Sequence, residues 1–250
     1  MRRLGAARCA RADRTAGGQG LRGGGAPATG ARGSARPAGL VPDPRGTPFT
    51  FWYALVLLGT SLYARYGDPA TVSALLHGSS TDVAHLATVP LLVLFASALW
   101  VAGGLASPYA LGLVLVLTAL ERRVGGLRAA AVFLAGHVTA TLATEIPVGL
   151  WVAAGRLPET SLHRLDYGIS FGLLASVGAL TALFRPLPRA AVLAGVSALL
   201  LLDLYAYEDP LSNWGHPLAL LAGLACGPLV RRWARDREGP RRGEESQEQA

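Results

Sequence analysis

Long apolar stretches alternate with short polar stretches along most of this chain. Most of the apolar runs are about 16–22 residues long, which is enough to cross about 30 Å of hydrocarbon as a helix. The runs lie at 49–64, 109–120, 127–148, 165–184, 190–202 and 214–230. The pattern predicts an all-α membrane protein.

One region, residues 85–120, does not fit a simple span. An apolar piece at 85–103 is followed by a Gly/Pro-containing break and by a second apolar piece that ends at Glu121. The whole stretch is too short for three crossings. We therefore predict one crossing at 109–120, extended backwards by a turn or two. The piece at 85–103 is then expected to lie in the outer leaflet or dip into it.

Every basic side chain in the chain is an arginine, and the arginines are grouped. They concentrate at 2–45, 121–128, 185–189 and 231–242. The positive-inside rule assigns these segments to the cytoplasmic side and the loops near 67–84, 149–164 and 203–213 to the outside. We predict six spans, a multi-pass location in the plasma membrane, and both termini in the cytoplasm. The polar loop before the 85–120 region is expected to run from residue 65 to residue 84.

Composition supports a membrane domain flanked by two tails. Hydrophobic residues make up 51% of the chain and charged residues 16%, whereas a soluble domain carries about a quarter charged residues. Residues 1–46 are rich in Gly, Ala and Arg and are predicted to be disordered. The membrane domain is expected at 47–231, followed by a disordered charged tail at 232–250. The net charge of +7 follows from topology, so no nucleic-acid partner is predicted.

A serine and a histidine stand at the same predicted end of two spans. Ser170 lies near the outer end of the 165–184 run, and His216 lies near the outer end of the last run. A serine hydroxyl becomes a useful nucleophile when a base takes its proton, and histidine suits that role near neutral pH. The alternatives are a serine that bonds to its own helix and an interfacial histidine beside Trp214.

Small residues follow the histidine at Ala219, Gly223 and Gly227, which predicts close approach of a neighbouring helix. If that neighbour is the Gly168/Gly172 face of the serine helix, the hydroxyl and the imidazole can meet.

Three further ionisable residues lie within or beside the apolar runs. Asp166 is predicted on the same helical face as Ser170, either as a helix cap or as a group that tunes the serine or histidine. His137 and Glu145 fall on one face of the 127–148 run, and both a functional and a packing role are open for each. A metal site built from His137, Glu145, Asp166 and His216 is a further hypothesis, although no tight histidine motif supports it.

Several short motifs together resemble the rhomboid intramembrane serine proteases over roughly residues 50–231. Gly168-Ile169-Ser170 resembles the G-x-S of the fourth span, with Gly178 at a later small position. His216 with Ala219, Gly223 and Gly227 resembles the H-x-x-G-x-x-x-G of the sixth span. The stretch from Glu121 to Gly125 resembles the E-x-x-x-G that ends the second span.

The resemblance implies a six-transmembrane-helix rhomboid-like bundle with a membrane-dipping segment before the second span. It also implies a Ser170–His216 dyad without a third carboxylate or a cofactor, which cleaves transmembrane protein substrates near the outer membrane face. Counting back from Glu121, the oxyanion-assisting His and Asn of the family fall at Leu105 and Tyr109. His85 is another candidate for the histidine, with Val89 at its fourth neighbour, and Gly168 belongs to the same group of candidates.

The sequence departs from the family pattern at Phe171, where active members usually carry Gly, and at Ala219. These departures support an alternative, a catalytically inactive rhomboid-like protein that binds transmembrane helices. A metal-dependent membrane hydrolase or a transporter is the third hypothesis.

Overall fold

The computed structural model describes residues 39–104, 107–206 and 210–248. Leu105 and most of the predicted N-terminal tail therefore lie outside the described residues. The described residues form ten α-helices and one short 3₁₀ helix, and no strand occurs among them. The helices are α1 Pro48–Tyr66, α2 Pro69–Gly78, α3 Val83–Thr88, α4 Pro90–Ser97, α5 Pro108–Val124, α6 Gly126–Ala153, α7 Ser170–Thr181, α8 Pro186–Ala206, α9 Pro210–Ala225 and α10 Gly227–Glu248, with the 3₁₀ helix at Glu159–His163.

The all-helical fold class is confirmed. By length and composition, two helices in the described part of the chain can cross a membrane, Gly126–Ala153 and Pro186–Tyr205. Ser170–Thr181 is apolar but shorter. The count of six spans stays a prediction.

The polar loop predicted at 65–84 is largely helical, so that interpretation is wrong. Pro69 is the first residue of α2, and the Asp68 side chain before it accepts a hydrogen bond from the backbone N–H of Thr71. Hydrogen bonds from Thr71 also hold the pKa of this exposed carboxyl below its usual range. A carboxylate cap followed by proline at the first helical position is a strong start signal. The apolar piece that follows contains α3 and α4, which are separated at Val89 because the residue before a proline disfavours helix.

Helix α7 begins at Ser170, five residues later than the predicted start of its span. The preceding backbone is committed to other partners. The N–H of Gly168 donates to the carbonyl of Ser97 at 3.1 Å, and the carbonyl of Asp166 accepts from the N–H of Thr81 at 2.8 Å. Gly168 also has φ of 135°, which a residue with a side chain rarely adopts. Asp166 therefore lies before the helix and not on its face, so the predicted helical register of Asp166 and Ser170 is wrong.

Helix α7 is the central element of the fold, and it packs mainly against α6 and α9. Ten of its residues are buried. Three groups of buried apolar side chains include residues of α7, and their other members come mainly from α5, α6, α9 and α10. Because α7 is enclosed by its neighbours, its first residue is held at a fixed place relative to α5 and α9.

Glycines allow α7 and α9 to cross in close contact. A Cβ added at Gly223 would collide with the backbone of Ala175, and one added at Gly178 would lie 2.9 Å from the backbone nitrogen of Leu224. Ala219 is fully buried beside them, and a Cβ at Gly227 would lie 3.1 Å from that of Ala182. The small-residue face of α9 thus meets Ala175 and Gly178 of α7.

The neighbour considered from the sequence, the Gly168/Gly172 face, is not the one observed. A Cβ added at Gly172 would instead collide with the ring of Phe133 on α6, and Gly168 lies before the helix.

The carboxylate of Glu121, near the end of α5, caps the start of α1. Its oxygens accept hydrogen bonds from the N–H of Phe49 at 2.9 Å, and from the N–H and the hydroxyl of Thr50 at 2.7 Å each. Glu121 is 1% exposed, and Gly125 follows with φ of 93°. The N–H groups of a first helical turn lack intrahelical partners, so this buried acceptor stabilises α1. The Glu121 and Gly125 motif is thus a helix cap followed by a turn.

We expect Glu121→Gln to destabilise the protein by about 1–3 kcal/mol, because one carboxylate oxygen becomes an amide NH2 group, which cannot accept from the N–H of Phe49 or Thr50. The midpoint of thermal unfolding in detergent should fall by roughly 2–10 °C. Glu159→Gln removes an exposed charge and is the matched control. Equal midpoints for the two variants would contradict the capping role.

At the C-terminal end, the boundary predicted at residue 231 falls inside a helix. Helix α10 continues through Gly227–Glu248. Ala234 is buried with Val230 against α5, α6 and α7, and Trp233 packs beside them. The Arg128 guanidinium lies 5.6 Å from the centre of the Trp233 ring. The tail predicted at 232–250 thus begins with residues that continue the packed face of a helix.

Candidate catalytic site

The two residues predicted to form a dyad lie within hydrogen-bond distance. Nε2 of His216 is 3.0 Å from Oγ of Ser170, although the residues are 46 positions apart in the chain. Ser170 is the first residue of α7, and His216 lies within α9 just before Pro217. The close α7–α9 crossing places the two side chains at the same end of both helices.

Ser170 and His216 open onto a cavity of about 190 Å³. The wall is formed by the segment before α7, by Tyr109 near the start of α5, and by Ala102 in the connection at 98–104. Its lining residues are Ala102, Tyr109, Asp166, Tyr167, Gly168, Ile169, Ser170, Phe171 and His216. The hydroxyl is therefore beside a space that a peptide group can enter.

Two aromatic rings hold the imidazole of His216 in place. The Tyr109 ring stacks on it with centroids 6.1 Å apart and planes at 16°, and the Phe171 ring meets it edge-on at 5.4 Å. Nδ1 of His216 makes no hydrogen bond within the described residues. When Nε2 accepts from the serine hydroxyl, the ring proton is on Nδ1. Counting back from Glu121 indicated Tyr109 as a candidate site residue, but nothing in the sequence predicted that its ring would stack on His216.

The peptide that leads into Ser170 is fixed by polar contacts from sequence-distant segments. The N–H of Asp166 donates to Oγ of Ser80 at 3.0 Å, and Oγ1 of Thr81 donates to the Asp166 carboxylate at 3.1 Å. Arg164 donates to the carboxylate of Glu145 at 2.6 Å. Glu145 is 1% exposed, so its carboxylate does not reach solvent as an unpaired charge. Asp166 and Glu145 therefore both help to hold the segment before α7 in place.

His137, on α6, helps to hold the same segment in place. Its Nε2 lies 3.1 Å from both Oγ of Ser97 and the carbonyl of Leu94. The carbonyl of Ser97 in turn accepts the N–H of Gly168. His137 is 2% exposed and is not a lining residue of the Ser170 cavity. Sequence reasoning missed Ser97, which connects the histidine to the G-x-S segment.

His85 is engaged by a neighbouring acid. Its Nδ1 lies 2.8 Å from the carboxylate of Asp82, which also accepts the backbone N–H of His85 at 3.0 Å. His85 is not among the described lining residues of the Ser170 cavity. Its observed role is to bind the acid that caps α3.

The hypothesis of a metal site is not supported by the arrangement of the candidate ligands. Within the described residues, no group of three or more His, Cys, Asp and Glu side chains is placed to hold a metal ion. Glu145 forms an ion pair with Arg164, and His216 is hydrogen-bonded to Ser170.

The start of α7 supplies backbone donors beside the serine. The first intrahelical bond is from the N–H of Leu173 to the carbonyl of Ile169 at 2.9 Å. The N–H groups of Ser170, Phe171 and Gly172 therefore have no intrahelical acceptor. The N–H of Gly168, by contrast, already donates to Ser97. A hydroxyl, a base and helix N-terminal N–H groups at one cavity can carry out acyl transfer.

Comparison with known proteins adds one finding. A family model described as rhomboid-like protein matches residues 44–236. No curated protein and no solved structure matches the chain.

Proposed function

The chain belongs to the rhomboid-like family of membrane proteins, and we propose that it is an intramembrane serine protease. Ser170 is the nucleophile, His216 is the base, and the substrates are transmembrane proteins cleaved near the outer membrane face. The observation that carries the proposal is the 3.0 Å contact between Nε2 of His216 and Oγ of Ser170.

The first chemical step is acylation of the serine. Oγ of Ser170 attacks the carbonyl carbon of the cleaved peptide bond while Nε2 of His216 takes the hydroxyl proton. The tetrahedral intermediate then collapses, the C–N bond breaks, and His216 gives its proton to the leaving amine. In the second half, His216 takes a proton from water, the hydroxide attacks the acyl ester, and the proton returns to Ser170. Tyr109 and Phe171 keep the imidazole plane in position for both transfers.

Charge on the carbonyl oxygen is stabilised at the start of α7. The first-turn N–H groups and the positive end of the helix dipole face the place where this charge develops. In active members of the family, a His and an Asn assist in stabilising the oxyanion, and the position of the Asn corresponds by counting to Tyr109. The N–H groups at the start of α7 supply hydrogen-bond donors in the absence of those two side chains.

The membrane arrangement belongs to the same proposal. Residues 47–231 form a six-span domain in the plasma membrane, with both termini in the cytoplasm. Its support is the grouping of arginines near 121–128, 185–189 and 231–242, all away from the segment that holds Ser170. The lipid bilayer and a transmembrane substrate are the expected partners.

A second candidate function is helix binding without cleavage. The observation that favours it is Phe171, which occupies a position where active rhomboid proteases usually carry Gly. Phe171 lines the Ser170 cavity, and its ring contacts His216. In that case, the site recognises transmembrane helices but does not hydrolyse them.

Labelling by a fluorophosphonate probe separates the two candidates. We expect the purified protein in detergent to be labelled, because the probe reports a serine activated by a base. Ser170→Ala should abolish labelling. Ser176→Ala, on the same helix, is the matched control, since its hydroxyl bonds to the carbonyl of Gly172 at 2.7 Å. An unlabelled wild type with normal thermal stability would favour helix binding.

A further inference from the structure

A second cavity next to the catalytic cavity has the features of a substrate-binding subsite. We propose that it holds the substrate polypeptide beside the cleaved bond and that Arg65 pairs there with an acidic residue of the substrate. The inference rests on the proposed function, since it assigns this protease a preference for acidic flanking residues.

The cavity has a volume of about 540 Å³ and lies between the end of α1, α2 and the 100–104 connection. Its lining residues include Ser61, Arg65, Tyr66, Val101, Gly103 and Tyr167. One wall is anchored to α1, because Oγ1 of Thr60 donates to the carbonyl of Leu99 at 2.7 Å. The volume is sufficient for several side chains of a bound peptide.

The two cavities share a wall. Tyr167 lines both of them and lies three residues before Ser170. The connection at 98–104 forms another part of this wall. Ala102 lines the catalytic cavity, while its neighbours Val101 and Gly103 line the second one. A chain in extended conformation advances about 3.3–3.6 Å per residue. A substrate whose carbonyl is at Ser170 therefore reaches the second cavity within a few residues.

One residue that lines this cavity carries a buried polar atom without a protein partner. Ser61 is 6% exposed and lines the cavity, and its Oγ makes no hydrogen bond within the described residues. A buried hydroxyl without a partner is costly. Ser61 and Arg65 are four residues apart on α1 and so lie on one face, one turn from each other. A ligand that offers an anionic group to Arg65 and a polar backbone one helical turn away can contact both residues.

Arg65 sets the charge of the site. Among the described lining residues it is the sole charged side chain. Its guanidinium lies 5.6 Å from the centre of the Tyr66 ring, and its Nε donates to the Tyr66 hydroxyl at 3.3 Å. The stacked guanidinium retains donors that can bind a carboxylate. An Asp or Glu in the substrate is the complementary group.

The test measures binding in the absence of cleavage. Ser170→Ala protein in phosphatidylcholine nanodiscs is titrated with a fluorescent polyleucine transmembrane peptide that carries one Asp, Asn or Lys at successive outer-flank positions. We expect Asp at one position to bind about two- to fivefold more tightly than Asn at low salt, as for a partly exposed ion pair. Lys should bind more weakly there. Adding Arg65→Glu should reverse the order, and Ser61→Ala should weaken binding of all three peptides.

Arg185→Glu is the matched control, because it changes by the same two charges an exposed arginine that follows the other end of α7 from Ser170. Equal affinity for the three peptides at every position, or a preference that survives Arg65→Glu, would overturn the inference. Nanodiscs with phosphatidylglycerol test a lipid occupant. If Arg65→Glu matters there alone and irrespective of the peptide charge, the cavity binds a lipid headgroup and the inference fails.

The outcome is separable from that of the proposed function. An Asp preference together with no fluorophosphonate labelling of the wild type would keep the Arg65 subsite and remove the protease. Labelling without an Asp preference would keep the protease and remove the subsite.

Discussion

Replacing His216 by glutamine is expected to lower kcat for cleavage of a transmembrane substrate by on the order of 10⁴- to 10⁶-fold. Glutamine retains a hydrogen-bonding group near Oγ of Ser170, but it cannot take up the hydroxyl proton. Because Ser170 and His216 act as one unit, the double variant Ser170→Ala/His216→Gln should be no slower than either single variant. The measurement is single-turnover cleavage in detergent, with the fluorophosphonate labelling rate as a second readout.

The control for His216→Gln is His163→Gln, which alters an exposed histidine in the connection before α7. It should retain wild-type cleavage. Thermal unfolding of both variants checks that the fold survives the loss of the imidazole that packs against Tyr109 and Phe171. A His216→Gln variant that keeps more than about a tenth of the activity would exclude this histidine as the base.

The second large effect is expected from Gly223→Ala. The added methyl group would occupy the position of the Ala175 backbone, so α7 and α9 must move apart. Overpacking of a close-packed contact costs about 1–3 kcal/mol, and a backbone collision should reach the upper end of that range. This corresponds to a fall of roughly 4–10 °C in the thermal midpoint. Since the same crossing brings His216 to Ser170, activity should fall together with stability.

Two glycines provide matched controls for the same chemical change. A Cβ at Gly59 of α1 or Gly195 of α8 would meet nothing within 4 Å. Alanine at these helical positions should leave stability unchanged or raise it slightly, because glycine is a poor helix former. If Gly223→Ala behaves like these controls, the close crossing does not hold the site together.

The sequence carried the information for the helices and for the two residues that meet. Apolar run length predicted α6 and α8 to within about five residues at each end, because in these segments the local pattern and the final environment agree. The small-residue spacing after His216 predicted a close helix contact, and such a contact is observed at Gly223. The resemblance then indicated which serine and which histidine to pair.

Other features depended on contacts between distant segments and could not be read locally. The start of α7 is set by two backbone hydrogen bonds of the segment before it, one donated to the carbonyl of Ser97 and one accepted from the N–H of Thr81. The pairing of Glu145 with Arg164 also depends on the path of the chain between them. Helix α2 was missed because its polar and small residues resemble a loop, although Asp68 and Pro69 form a recognisable start.

The cap that Glu121 places on α1 has a consequence for how the protein is made. Helix α1 is synthesised first among the described helices, but the carboxylate that accepts the N–H of Thr50 follows 71 residues later. Unpaired backbone N–H groups are costly within hydrocarbon. During synthesis, the start of α1 must therefore stay hydrated at the membrane surface until α5 has emerged. The earliest of these helices to leave the ribosome thus reaches its final state only after α5 has emerged, and α5 is the element that completes it.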